Sequence, residues 1–236
     1  MGFDGQEAIS AHRRHGIRWR VQSGLYNADE IIHHFVEDLT LTGMTLPEAN
    51  KKVRSIVAEE WAAQLEAQQT WPLGPTVSDK VATAFDSLER NHKILARMNC
   101  GCCNTCGIAE LREDNDDDTR GYVFFHEQAT ESVLDCGYLY LTFGSFSKSV
   151  RRNREVGGTI VRSLRRAGLR VEWSGDERGK ILVRCGEWRR RLDDDDELED
   201  ILDDSFDSDC MSSSEEEDEE TEVNSESASS DGNATI

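Results

Sequence analysis

Apolar positions recur with helical spacing through the first third of the chain. Ile32, Phe35, Val36 and Leu39 stand at i, i+3, i+4 and i+7. They follow Asn27 and Glu30, an N-cap and N3 pair able to bond reciprocally as a capping box. The pattern predicts a helix over about 28–39, closed near Thr42-Gly43. A second such pair, Thr45 and Glu48 with Pro47 in the first turn, opens a helix running to about Thr70, where Pro72 stops it. Val53, Ile56, Val57, Trp61 and Leu65 form its apolar stripe. After a polar hinge over 72–78, Val81, Ala84, Phe85 and Leu88 mark a third helix over about 79–92. Residues 1–20 are basic, rich in Gly and His and without periodicity, and are expected to form a flexible lead-in.

The period then shortens to two. Residues 94–99 read as a short strand entering a cluster of cysteines, 105–112 as a short helix and 113–118 as a solvated acidic loop. Tyr122, Phe124 and His126 alternate with Val123 and Phe125, and Tyr138, Tyr140 and Thr142 alternate with Leu139, Leu141 and Phe143, as half-buried strands do. Val156, Ile160, Leu164 and Ala167 mark a helix ended by Gly168, and Leu169, Val171 and Trp173 pair with Ile181 and Val183 across a turn over 174–179. The order is helices first, then β-α-β-α-β-α-β-β. It predicts an α+β domain whose mixed sheet of about five strands carries helices on one face.

Charge divides the chain more sharply than pattern does. Of its 47 acidic residues, 20 lie between Asp193 and Ile236, where there is no Lys or Arg, and residues 1–192 hold 27 of each sign. The Asp, Glu and Ser of 193–236 leave too little apolar surface to offset backbone entropy of ~1–2 kcal/mol per residue, so this segment is expected to be a disordered acidic tail. The expected organisation is thus a lead-in over 1–20, one α+β domain over 21–192 with a helical part (21–92) and a sheet part (93–192), and the tail. No run approaches the ~18–20 apolar residues of a membrane span. The N-terminus carries Arg13, Arg14, Arg18 and Arg20 in place of an apolar signal core, so a cytoplasmic or nuclear protein that is not secreted is expected.

Four of the seven cysteines, Cys100, Cys102, Cys103 and Cys106, fall within seven residues, while Cys136, Cys185 and Cys210 are scattered. The spacing is not that of a disulfide-stapled secreted domain. Cys103 and Cys106 are placed to reach one zinc ion, and Cys100, Cys102 or His126 could complete the tetrahedron. The same Cys-x-x-Cys at a strand-to-helix junction suits thiol redox chemistry, with helix amides lowering the pKa of Cys103. The chain has no proline after Pro75, however, and so lacks the cis-proline of a thioredoxin fold. Burial of small thiols at a tight junction is the third reading. His126 beside Glu127 is a candidate acid–base pair, with Gln128 and Glu131 following. Asp114, Asp116 and Asp118 alternate as calcium ligands do, but without the Gly and Glu that an EF-hand needs. Gly157-Gly158, read near a helix start, could admit an anion to backbone amides.

Several strings together carry a resemblance. Ala84-Phe85 and Leu88 precede Ala96-Arg97-Met98-Asn99, which leads into Cys102-Cys103-Asn104-Thr105-Cys106-Gly107. Gly121-Tyr122-Val123-Phe124-Phe125-His126-Glu127-Gln128, Leu139-Tyr140-Leu141, and Ala167-Gly168-Leu169 with Val171-Glu172-Trp173-Ser174-Gly175 follow. Over about 24–191 the chain resembles the family called domain of unknown function 6891. Ile108 stands where that family has His, and Cys100 where an aromatic is expected. The resemblance implies boundaries and candidate residues and brings no established activity.

Residues 148–191 hold 14 Lys or Arg against 5 acids. Arg151, Arg152, Arg154, Arg165 and Arg166, with Arg189, Arg190 and Arg191, make a candidate face for a phosphate or nucleic acid. The polyanionic tail beginning two residues after Arg191 would compete for that face, the more so if Ser212, Ser213 and Ser214 were phosphorylated. The sequence therefore points first to a non-enzymatic interaction or regulatory module with a protein partner and a structural zinc site. Its alternatives are a small metal- or thiol-dependent enzyme using Cys103, Cys106 and His126, and an anion-binding face inhibited by its own tail.

Overall fold

In a computed structural model, which describes residues 9–147, 149–192 and 201, three helices lead: α1 (Ala11–Ser23), α2 (Ala28–Leu41) and α3 (Leu46–Gln69). Then come α4 (Val77–His92), β1 (Ile94–Arg97), α5 (Asn104–Glu113), β2 (Gly121–Phe124), α6 (Glu127–Cys136) and β3 (Tyr138–Gly144). Helix α7 (Val150–Arg166) and the hairpin β4 (Arg170–Glu172) and β5 (Ile181–Arg184) complete the order. The strands form one sheet, β1-β2-β3-β5-β4, in which β1 and β2 are parallel and the other pairs antiparallel. The protein is an α+β protein with a mixed sheet. No helix among the described residues is long and apolar enough to cross a membrane.

Two cores form. Alternate strand positions, Val123 on β2, Leu139, Leu141 and Phe143 on β3, and Ile181 and Val183 on β5, meet stripes from α4, α6 and α7. Helix α4 thus belongs to the sheet core. The second core joins α1, α2 and α3 through Ile17, Val21, Ile31, Phe35, Val57 and Trp61, and it takes in Leu192 and Ile201. Of the expected tail, Ile201 is described: it is buried and its carbonyl accepts from Arg54 Nη1 at 3.3 Å. The rest of the expected tail lies outside the described residues, as do Cys210 and Ser212 to Ser214.

The lead-in expected over 1–20 is replaced from Ala11 onward by α1. Its apolar residues are few, but its arginines meet acids on α2 and α3: Arg13 Nε binds Asp38 at 2.5 Å, and Arg18 Nε and Arg14 Nε bind Glu60 at 2.9 and 3.2 Å. Burial pushes the Glu60 carboxyl up, but Arg18 and Arg14 outweigh it and hold it below the usual range. The capping box of Asn27 and Glu30 forms, and an unforeseen one, Thr76 with Asp79, opens α4 two residues early. At α3 the Thr45 hydroxyl instead donates to Glu48 at 2.6 Å and leaves the backbone uncapped. Helices are not confined to one face of the sheet. Helix α5 covers the opposite side of β1 and β2, where Leu111 and Ile108 meet Phe124, Leu95 and Tyr122.

Candidate metal centre

The turn between β1 and α5 gathers the cysteines. Asn99 has a left-handed φ of 55°, and the next residue, Cys100, donates its N–H to Phe125 O at 2.9 Å, just beyond β2. Gly101 follows at φ 68°, and a Cβ there would sit 2.6 Å from the backbone N of Gly107. A Cβ on Gly107 would lie 2.4 Å from Phe124 Cε2. The two glycines thus let the loop fold onto the first turn of α5 and let that turn sit against the sheet. Asn104, first in the helix, accepts from Thr142 Oγ1 on β3 at 2.6 Å, which fixes the helix end across three strands.

On this platform Cys103 is the N-cap of α5, Cys106 lies one turn in, and Cys102 precedes both. The three sulfurs lie within 4.8 Å of one another, with Cys102–Cys106 at 3.5 Å and Cys103–Cys106 at 3.8 Å. Cys102 and Cys106 are exposed and Cys103 half-buried. The backbone N–H groups of Cys106 and Thr105, and then the Cys106 thiol, pull Cys103 down to about 7. Cys106, facing Cys102 and Cys103, is pushed up to about 11. The two thiols are thus shifted in opposite directions, Cys103 down by backbone N–H groups and Cys106 up by the neighbouring sulfurs.

The other proposed ligands do not join them. Cys100 is buried against Leu111 and Phe124, its thiol donates to Glu110 Oε2 at 3.1 Å, and burial raises it to about 12. His126 is not on the strand: β2 ends at Phe124, and His126 is the N-cap of α6. Its ring is buried, Nδ1 has no hydrogen-bond partner among the described residues, and burial, then Lys180, lowers its pKa. It is not one of the group whose ligand atoms lie within 4.8 Å of one another. Glu127 lies toward Arg20 of α1, 3.9 Å away. His126 thus stands apart from the group that holds Cys103, and Glu127 is directed to α1.

The remaining candidates make the following contacts. Asp114 pairs with Arg97 at 2.9 Å, Asp118 with Lys93 at 2.5 Å, and Asp116 accepts from Thr119 at 2.6 Å, so the acidic loop is held by cations and its own turn. Gly157 and Gly158 lie inside α7 rather than at its start, and a Cβ on Gly157 would meet Phe143 at 2.7 Å and Trp173 at 2.8 Å. On the basic face, Arg154 pairs with Glu177 at 3.1 Å, Arg151 with Glu155 at 3.8 Å, and Arg165 donates to Val171 O at 3.1 Å, while Arg152 and Arg166 are exposed. Arg190 donates to Gly24 O at 2.8 Å and Arg191 to Pro72 O at 2.9 Å, so these two serve the backbone.

With this geometry in place, comparison with known proteins is informative at the level of family. The family described as Domain of unknown function (DUF6891) matches residues 6–192. The chain belongs to that family. The match starts before α1, in agreement with the place of α1 in the helical core and earlier than the motif strings indicate. No curated protein and no solved structure matches the chain. Membership brings the boundaries of the domain and leaves its chemistry to the residues themselves.

Proposed function

We propose that this domain is a thiolate metal-binding module in which Cys102, Cys103 and Cys106 hold one zinc-class ion. The separations of the sulfurs carry the reading. Zinc–sulfur bonds of about 2.3 Å place the ligand sulfurs of a tetrahedron about 3.8 Å apart, and two of the separations are 3.5 and 3.8 Å. A bound cation would also relieve the crowding that raises Cys106, because each ligand is a thiolate when bound. Three protein ligands leave the fourth position for water or for a group on a partner. The module thereby suits regulated association or Lewis-acid chemistry better than a closed structural knot.

Purified protein is expected to take up one equivalent of zinc with release of protons, and Cys106→Ser to weaken binding by at least tenfold. Cys100→Ala, away from the trio, should leave zinc stoichiometry unchanged. Equal affinity in the wild type and the Cys106→Ser variant would remove the reading. A second reading rests on the opposed shifts of Cys103 and Cys106: the Cys103 thiolate attacks an external disulfide and expels one partner thiolate, and Cys106 then attacks the Cys103 sulfur of the mixed disulfide and expels the second. The disulfide partner takes up two electrons and two protons as the Cys103–Cys106 bond forms. Thiol counting after equilibration with oxidised and reduced glutathione separates the two readings, since metal binding alone leaves the count unchanged.

A further inference from the structure

A cavity of about 530 Å³ lies between α1, α2 and the first turns of α6, remote in function from the cysteine trio and lined in part by Arg20, His34, Glu127 and Glu131. Arg20 is its central group. The guanidinium stands over the rings of Trp19, Phe35 and Tyr26 at 4.4, 5.2 and 5.5 Å, and its side chain is only 12% exposed. Its Nη1 donates to Gly16 O at 3.2 Å, and Nη2 lies 3.5 Å from His34 Nε2. The nearest carboxylate oxygen among the described residues, Glu127 Oε2, is 3.9 Å away, beyond hydrogen-bond reach. A guanidinium offers five N–H donors in a rigid fork that matches a carboxylate, and three rings hold this one in place with little water around it. Gly16 makes the arrangement possible, because a Cβ there would stand 2.8 Å from Phe35 Cζ.

The facing wall is acidic. Glu127 and Glu131 lie on successive turns of α6, Glu131 beside His15 at 3.4 Å. A simple anion bound at Arg20 would meet the Glu127 carboxylate, and a simple cation drawn to Glu127 would meet Arg20. A ligand carrying an ammonium and a carboxylate on one carbon satisfies both walls. With Arg20 and Glu127 it completes an alternating square of charge, each group flanked by two of opposite sign.

We propose that this cavity binds a small zwitterion, a free α-amino acid, with its carboxylate on Arg20 and its ammonium on Glu127. The volume accommodates such a molecule with its side chain. The phenylalanine-phenylalanine-histidine-glutamate-glutamine string of residues 124–128 also acquires a role, since Glu127 and Gln128 line the cavity. The site does not depend on the metal reading: none of its lining residues is a cysteine.

The full-length protein titrated by calorimetry with the common amino acids, with acetate and ethylamine as one-charge probes, and with inorganic phosphate provides the test. At least one amino acid is expected to bind, and acetate and ethylamine at least tenfold more weakly. Glu127→Gln, at a partly exposed side chain, should cost about tenfold or more in affinity with the thermal midpoint nearly unchanged. Arg20→Lys, at a packed side chain, is read together with its thermal midpoint and should lose binding while still folded. Cys106→Ser should bind the amino acid as the wild type does, which separates this site from the metal centre. Absence of binding by every amino acid at millimolar concentration, stronger binding of phosphate than of any amino acid, or an affinity indifferent to Glu127→Gln would each overturn the proposal.

Discussion

Cys103 and Cys106 differ by one helical turn and titrate far apart, because the first faces backbone N–H groups and the second faces other sulfurs. The amide contribution is the largest for Cys103, so it should survive loss of its neighbour. In Cys106→Ser the Cys103 thiolate, followed by its ultraviolet absorbance or by alkylation rate against pH, should still titrate below the ordinary thiol value of 9.0. A return to that value would show that the neighbouring sulfur, not the helix end, sets it. His34 and His126 report a different residue-scale effect. Burial, followed by Arg20 for the first and Lys180 for the second, lowers both from 6.5. The unfolded chain then binds more protons, so the stability these groups contribute is complete above 6.5 and is lost as pH falls through their lower folded values. Urea midpoints should therefore drop between about pH 7 and 5, before Asp38, held low by Arg13, and Glu60 begin to titrate. Replacing both histidines by Gln should flatten that window.

Glycines separate the roles of helices α5 and α7. Gly107 lies where α5 touches Phe124, and a methyl group there has no room. Gly107→Ala is expected to cost ~1–3 kcal/mol by overpacking and to weaken zinc binding, because it lifts the turn that carries Cys103 and Cys106. Gly158 has only the flexible end of Arg162 near it, at 3.5 Å, and lies inside a helix. Gly158→Ala should stabilise by ~0.5–1 kcal/mol, since alanine loses less backbone freedom on folding. Chemical denaturation of the pair checks both signs. Most element boundaries were legible because caps and apolar periods are local: the Asn27–Glu30 box and the stripe of α4 act within their own helices. Helix α1 was not, because its few buried residues, Ile17 and Val21, sit among many arginines that find Asp38, Glu59 and Glu60 on other helices, which no local pattern announces.

At the scale of the molecule, the segment after β5 ties the helical core to the sheet core. Trp188 Nε1 donates to Ser23 O at 2.9 Å while its ring lies 6.0 Å from that of Phe125. Ser78 Oγ donates to Arg189 O at 2.7 Å, and Leu192 N donates to Gln68 Oε1 at 3.0 Å. Trp188→Ala is expected to cost ~3–5 kcal/mol, as large aromatic truncations in cores do. Trp188→Phe, which keeps an aromatic side chain but trims the indole and leaves Ser23 O without its donor, should cost less, ~1–3 kcal/mol. A fluorescence-detected melt of the two variants measures the difference, and equal losses would deny the segment its bridging part.

The amino-acid order alone determined the α+β class, the sequence of helices and strands, and the nearness of three cysteines, because these follow from short-range period, capping and chain spacing. The fold decided which charges have partners. It consumed Arg190 and Arg191 on backbone carbonyls, took Cys100 into the core, turned His126 into a helix cap and brought Arg20 opposite Glu127. Those outcomes depend on contacts between residues tens of positions apart. Such contacts exist only once the apolar stripes have chosen their neighbours.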